Sequence, residues 1–249
     1  MAHPFDLFSI DPAKDSLLGL DTAGNVTEIG SLGVDVTGMQ LEWHLGVLYG
    51  LTGGFNDQDL FRIDTTTGAA TLVGDVLLSG NYVGLTEAIV SFDGDLYISY
   101  NTTGNSTSDR LGLINPSNAA ILSSVGIGPD ADSLGYDGAN GYMIDNSPGG
   151  DSTLYSADLS TGGTSQIGVM QSGAVGGDGA DMAFLFGDLY TLSIPKRELW
   201  AVDKATGSFT AVDLNPDYTY SGLAAVPEPA TMLALGAGIA ALVSRRRKN

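Results

Sequence analysis

The chain contains no cysteine among its 249 residues. Disulfides, thiol nucleophiles and thiolate metal sites are therefore excluded. Histidine is almost absent as well. His3 and His44 alone leave no material for a histidine triad or a histidine-rich metal centre. His3 falls at the start of the chain and reads as a solvated side chain, and His44, in "LEWHLG", as a strand-end residue beside Trp43. No Gly-x-Ser-x-Gly occurs and no phosphate-binding loop, and "GGDGAD" (Gly176 to Asp181) reads as a turn. Positive charge is scarce: before Pro227 there are 6 basic and 28 acidic residues, a formal charge of about −22. Such a body repels nucleic acid and anionic lipid and suits cations or a basic or neutral partner. The opening stretch "MAHPFDLFSID" has neither a basic n-region nor an apolar h-region, so it is not a signal peptide.

What is present is glycine, 35 residues of it, with hydrophobic residues at 43% of the chain. That pairing favours a packed core joined by many tight turns over long helices. A repeat organises it. "DLFRIDTTTG" from Asp59 is echoed by "RLGLINPSNA" from Arg110, "TLYSADLSTG" from Thr153 and "ELWAVDKATG" from Glu198, with a looser copy, "SLLGLDTAGN", from Ser16. An apolar phrase such as "DLFSI", "VLYGL" or "DLYTL" precedes each copy, and another such as "ATLVGDV" follows it. The period of roughly 41 to 51 residues lies in the range of propeller blades.

Each phrase alternates apolar and polar residues over five or six positions, the pattern of a short half-buried strand. Asp21, Asp64, Asn115, Asp158 and Asp203 end the same strand in successive copies. An Asx side chain there is expected to bond the backbone two residues on, while the following glycine supplies a positive φ. A catalytic or phosphate loop would be unique; five copies mark hairpins. Opening strands are expected at "GMQLEWHL" from Gly38, "GLTEAIVSF" from Gly84, "DSLGYDG" from Asp132 and "ADMAFLFG" from Ala180, with "GLAAV" (Gly222 to Val226) left over at the far end. The N-terminal copy lacks its own opening strand. Pairing it with Gly222 to Val226 closes a ring and removes the sheet edges. The expected fold is all-β, a five-bladed β-propeller over residues 5–226, with six blades the alternative if an N-terminal blade is missing. The body resembles the broad group of bacterial propellers whose blades read "LY…LF-x-IDP-x-TG".

The end of the chain differs in kind. Pro227-Glu228-Pro229 leads into a nearly uncharged run from Ala230 to Val243, closed by Arg245, Arg246, Arg247 and Lys248. As a helix the run spans about 21 Å, short of a hydrocarbon core of about 30 Å. The basic stop nevertheless places the terminus in the cytoplasm and the body outside, and "ALGAGIAAL" suits close helix packing in a membrane. Proline, glutamate and proline, a short apolar helix and an arginine cluster in this order resemble the PEP-CTERM sorting signal. The resemblance covers residues 227–249 and implies a Gram-negative bacterium, an exosortase as partner and processing near the motif. It also implies transient anchoring in the inner membrane, then release to the cell surface or outside, often beside extracellular polysaccharide. An ordinary membrane anchor is the alternative. Export further expects a leader upstream of, or removed from, the present start.

Carboxylates are the one chemical resource of the body. Glu42, Glu87, Asp132 and Asp181 fall in or beside the opening strands, which line the channel of a propeller. Acids at a channel mouth suit a hard cation such as calcium, although solvated turn aspartates account for the same pattern. "PDADSLGYDG" (Pro129 to Gly138) begins like a calcium loop, but Leu134 takes a ligand position and no glutamate ends it. The expected protein is therefore a non-enzymatic surface or matrix propeller, with no obligatory cofactor, that binds polysaccharide or protein. The alternative is an extracellular glycan hydrolase or lyase with paired carboxylates.

Overall fold

A computed structural model describes residues 5–52, 58–101, 109–146, 150–172 and 178–227. In chain order the strands are β1 (Leu7–Asp11), β2 (Ser16–Leu20) and β3 (Val26–Ser31), then β4 (Met39–His44), β5 (Val47–Thr52), β6 (Asp59–Ile63) and β7 (Ala70–Asp75). A small hairpin of β8 (Leu77–Leu78) and β9 (Asn81–Tyr82) follows. Next come β10 (Leu85–Phe92), β11 (Asp95–Asn101), β12 (Asp109–Ile114) and β13 (Ile121–Ile127), and then β14 (Ser133–Tyr136), β15 (Gly141–Asn146), β16 (Ser152–Asp158) and β17 (Gly163–Gln171). The last group is β18 (Asp178–Leu185), β19 (Asp188–Ser193), β20 (Glu198–Val202) and β21 (Phe209–Asp213), with β22 (Ser221–Ala225) alone at the end.

These strands form five antiparallel four-stranded sheets, four of them consecutive and the fifth ordered β22-β1-β2-β3. The last strand thus completes the first blade, as the spacing of the repeats predicts. Leu7 pairs with Ala225 and Ser9 with Leu223, and the Val226 amide donates to the Asp6 carbonyl at 2.8 Å. The inner strands β4, β10, β14, β18 and β22 touch one another in ring order around the axis. Five blades close the ring, so the six-blade alternative is not the arrangement found. The β8–β9 hairpin, an insertion after the second blade, is not legible in the repeat.

Burial follows from the alternation of side chains along each strand. A blade has two faces and a neighbour on each, so its inner and middle strands bury both sets. All five residues of β2 are buried, while the outer strand β3 is largely exposed. Five apolar clusters result, each shared between two adjacent blades. Phe8, Ile10 and Leu17 of the first blade meet Met39, Leu41 and Phe61 of the second. Leu7 and Leu223 of the first meet Leu185 and Leu192 of the fifth, so the seam is packed like the other joints.

The turn chemistry is as expected. Oδ1 of Asp21, Asp64, Asn115, Asp158 and Asp203 accepts the backbone amide two residues on at 2.8–3.0 Å. Gly68 then takes φ +83°, and a methyl group on it would strike the Gly30 carbonyl of the preceding blade. Ala119, at φ 59°, occupies the equivalent place in the third blade. Among the described residues no helix is long and apolar enough to cross a membrane. The expected C-terminal helix, Glu228, Pro229 and the basic residues Arg245 to Lys248 lie outside the described residues, as does His3.

Candidate functional site

The channel holds two cavities. One, of about 500 Å³, opens where the inner strands begin and is lined by Met39, Gln40, Asp132, Asp181 and Gly222 among others. The second, of about 210 Å³, lies where they end, against Glu42, Trp43, Phe184 and Pro227. Three of the four carboxylates expected along the channel thus border a cavity, and the fourth, Glu87, projects from β10. The four do not form one ligand set.

Asp181 is committed to the backbone. It sits at a bulge in β18, between Ala180 and Met182, with φ 53° and 2% exposure. A bulge re-aims a side chain, and here it turns the carboxylate toward two other strands. Oδ2 accepts the Leu41 amide of β4 at 2.8 Å and the Leu223 amide of β22 at 2.7 Å, and Oδ1 accepts the Met182 amide at 2.9 Å. Burial pushes its pKa up to about 7 although the three amides pull the other way. Glu42 is held well above the usual carboxylate range by burial and by nearby Asp181, against a hydrogen bond from the Ser91 backbone. Asp132 accepts the Asn146 amide at 2.6 Å, and burial raises it to about 7.

Glu87 keeps different company. It is the bulged residue of β10, between Thr86 and Ala88. One oxygen each from Glu87, Asp109 and Asp130 lies within 4.8 Å of the other two. Asp109, at the start of β12, is 2% exposed and accepts the Ala131 amide through Oδ2 at 2.7 Å. Among the described residues its Oδ1 and the Glu87 Oε2 are buried without a hydrogen-bond partner. Burial, then the charge of Asp109 and a hydrogen bond shared with its side chain, then the charges of Asp130 and Asp132 push the Glu87 carboxyl up, so the two carboxyls can satisfy each other only by sharing a proton. Sequence reasoning names Glu87 but misses Asp109 and Asp130. Asp130 falls inside the calcium-like stretch "PDADSLGYDG", which is the one signal available. Asp109 has none, because it opens its strand as Asp59 opens β6.

His44 does what a core histidine does. It is 4% exposed at the end of β4, with Nδ1 2.9 Å from Ser91 Oγ and its ring against Tyr49. Burial lowers its pKa. Outside the channel, a groove of about 610 Å³ runs between the third and fourth blades. Phe92 and Tyr136 meet edge to face within it, with ring centroids 5.0 Å apart, beside Asn140, Asp158 and Thr161.

The closed ring defines a five-bladed β-propeller. Solved structures share this fold alone. The chain superposes on a chain of the nidogen/laminin complex with a TM-score of 0.57, at 9% identity, over 89% of this chain and 98% of that one. It superposes on glutaminyl cyclase of Myxococcus xanthus with a TM-score of 0.53, at 15% identity, over 91% and 87% of the two chains. No curated protein matches the chain by sequence. Residues 225–248 match the PEP-CTERM protein-sorting motif. The motif overlaps the last residue of β22 and runs on through the basic stop, and it implies an exported protein sorted by an exosortase.

Proposed function

We propose that the chain is a non-enzymatic binding propeller, delivered by its tail to the cell surface or the extracellular matrix, where it holds polysaccharide or protein. The observation that carries the reading is the junction at Val226. The folded unit is tied off there by the bond to Asp6, and the sorting motif spans that point. Residues 5–226 form the body, and residues 227–249 are a removable device. The Pro-Glu-Pro motif is the part an exosortase reads, the apolar run from Ala230 to Val243 suits the inner membrane, and Arg245 to Lys248 suit the cytoplasmic side.

The groove at Phe92 and Tyr136 suits a neutral glycan. Half-buried aromatic faces cover the apolar faces of sugar rings, and Asn140, Asp158 and Thr161 supply hydrogen bonds. The commitment of Asp181 to three amides supports a non-enzymatic reading, since a carboxylate so held is poorly placed for proton transfer.

The test uses the chain behind a functional leader in a host with an exosortase. Intact mass should show loss of about the last 20 residues, as processing near the motif requires, and replacing Pro227-Glu228-Pro229 by alanines should leave the chain full length in the membrane. Identical products from both versions would contradict the sorting role. Tyr136→Ala should lower retention on the host's extracellular polysaccharide. Release of new reducing ends by the unaltered protein would overturn the non-enzymatic reading.

A further inference from the structure

The acidic group between the third and fourth blades has a property that solvated turn aspartates lack. Three segments far apart in sequence converge on it: the bulge of β10, the start of β12 and the link from β13 to β14. Asp109 is nearly inaccessible, and its Oδ1 has no donor among the described residues. The Glu87 Oε2 shares that condition. Buried acceptors are normally satisfied, and each exception calls for a partner. Among the described residues no lysine or arginine forms an ion pair with Glu87 or Asp109. Arg110, the nearest basic residue in sequence, donates to Ser124 Oγ and to its carbonyl instead.

We propose that Glu87, Asp109 and Asp130 form a divalent-cation site, suited to calcium, that ties the third blade to the link leading into the fourth. The geometry supports a single ion. Oxygens lying no more than 4.8 Å apart share a centre within about 2.8 Å of each, so that a small side-chain adjustment reaches the calcium–oxygen distance of about 2.3–2.6 Å. The ligands are hard oxygens, with no histidine or cysteine to favour zinc. Three carboxylates supply the charge, and water or backbone carbonyls complete the six to eight ligands that calcium takes, a loose shell that magnesium tolerates poorly. The bulge is what brings Glu87 into the set, by turning it out of the regular alternation of β10. The ion replaces the proton that crowded carboxyls must otherwise share, and it stiffens the joint where Asp109 already holds the Ala131 amide. The site goes beyond the sorting and binding reading and does not depend on it.

The experiment titrates the full-length chain, in mild detergent, with calcium at constant ionic strength and follows heat and melting temperature. One ion per chain should bind with a dissociation constant on the order of 10⁻⁴ to 10⁻³ M, the range of extracellular modules, and raise the melting temperature. Glu87→Gln and Asp109→Asn should each weaken binding at least tenfold, while Asp64→Asn, at an exposed turn, leaves it unchanged. Should Asp109→Asn fail to fold, Glu87→Gln still decides, because glutamine keeps the side chain's length and can donate to Asp109 where the shared proton stood. The proposal is overturned if sodium at equal ionic strength gives the same shift, if magnesium binds as tightly as calcium, or if both variants bind calcium as the unaltered chain does.

Discussion

Two carboxylates, each at a bulge of an inner strand, have opposite fates. Asp181 lies at the seam, where β18, β22 and β4 meet, and its two oxygens receive three backbone amides. Glu87 lies across the channel on β10, faces two more acids, and leaves one oxygen unbonded. Both are acids at a bulge, although only Asp181 of the two takes a positive φ, and the larger difference lies in what the neighbouring strands present. The seam offers amides, because the inward edges of β22 and β4 need acceptors. The joint of the third and fourth blades offers three carboxylates the Ala131 amide, which goes to Asp109. The first arrangement holds the ring shut, and the second calls for a cation.

The largest expected effect comes from breaking the seam outright. Removing Ser221–Ala225 strips β1 of its partner and opens the cluster of Leu7, Leu192 and Leu223. The chain should lose its cooperative melt and aggregate through the bared edge. A melt like that of the intact chain would show that the ring does not need its last strand.

Asp181→Ala tests the same seam with one side chain. It orphans three amides, each costing about 1–3 kcal/mol when buried and unpaired, and it places alanine at φ 53°. Stability by denaturant titration should fall by about 3 kcal/mol or more. A loss under about 1 kcal/mol, the net worth of a single ordinary hydrogen bond, would mean that the carboxylate is not the clamp.

A smaller effect is read in pH. Burial raises Asp181 to about 7, from a usual value of 3.8. Its contribution is therefore fully present below about pH 4 and is lost as pH rises through about 7. Neighbouring Glu42 acts in the same sense. His44, with a lowered pKa, acts in the opposite sense, favouring the fold as pH rises toward 6.5. The exposed turn aspartates Asp64, Asp158 and Asp203 have lowered pKa values and stay ionised above about pH 4.5, so they add no slope there. With EDTA present, the denaturant midpoint should fall between pH 5 and pH 8, and the fall should shrink in Asp181→Ala. A midpoint rising across that window would contradict the assignment.

The five-fold repeat made the ring readable in the sequence. Asp21, Asp64, Asn115, Asp158 and Asp203 mark equivalent turns, and counting strands between them leaves β22 over for the first blade. The β8–β9 hairpin escaped because it occurs once, and its contact with the third blade is a single bridge from Leu77 to Ala120. The site was only half legible. Composition and strand position pointed to Glu42, Glu87, Asp132 and Asp181 as channel acids. What separates Asp181 from Glu87 is the direction of amides on other strands, which no local pattern encodes. Asp109 was invisible for the same reason, since its meeting with Glu87 and Asp130 depends on how the strands of the third blade pair and on the path of the link that leaves it.

The contrast between the two carboxylates can be read in one measurement, amide chemical-shift mapping of the labelled chain at saturating calcium against matched sodium. The Ala131 amide, held by Asp109, and the amides around Glu87 should move most, while those of Leu41, Met182 and Leu223, held by Asp181, should stay in place. Large shifts at Leu41 and Leu223 with none at Ala131 would contradict the account, placing the cation at the seam and leaving the Glu87 group without one.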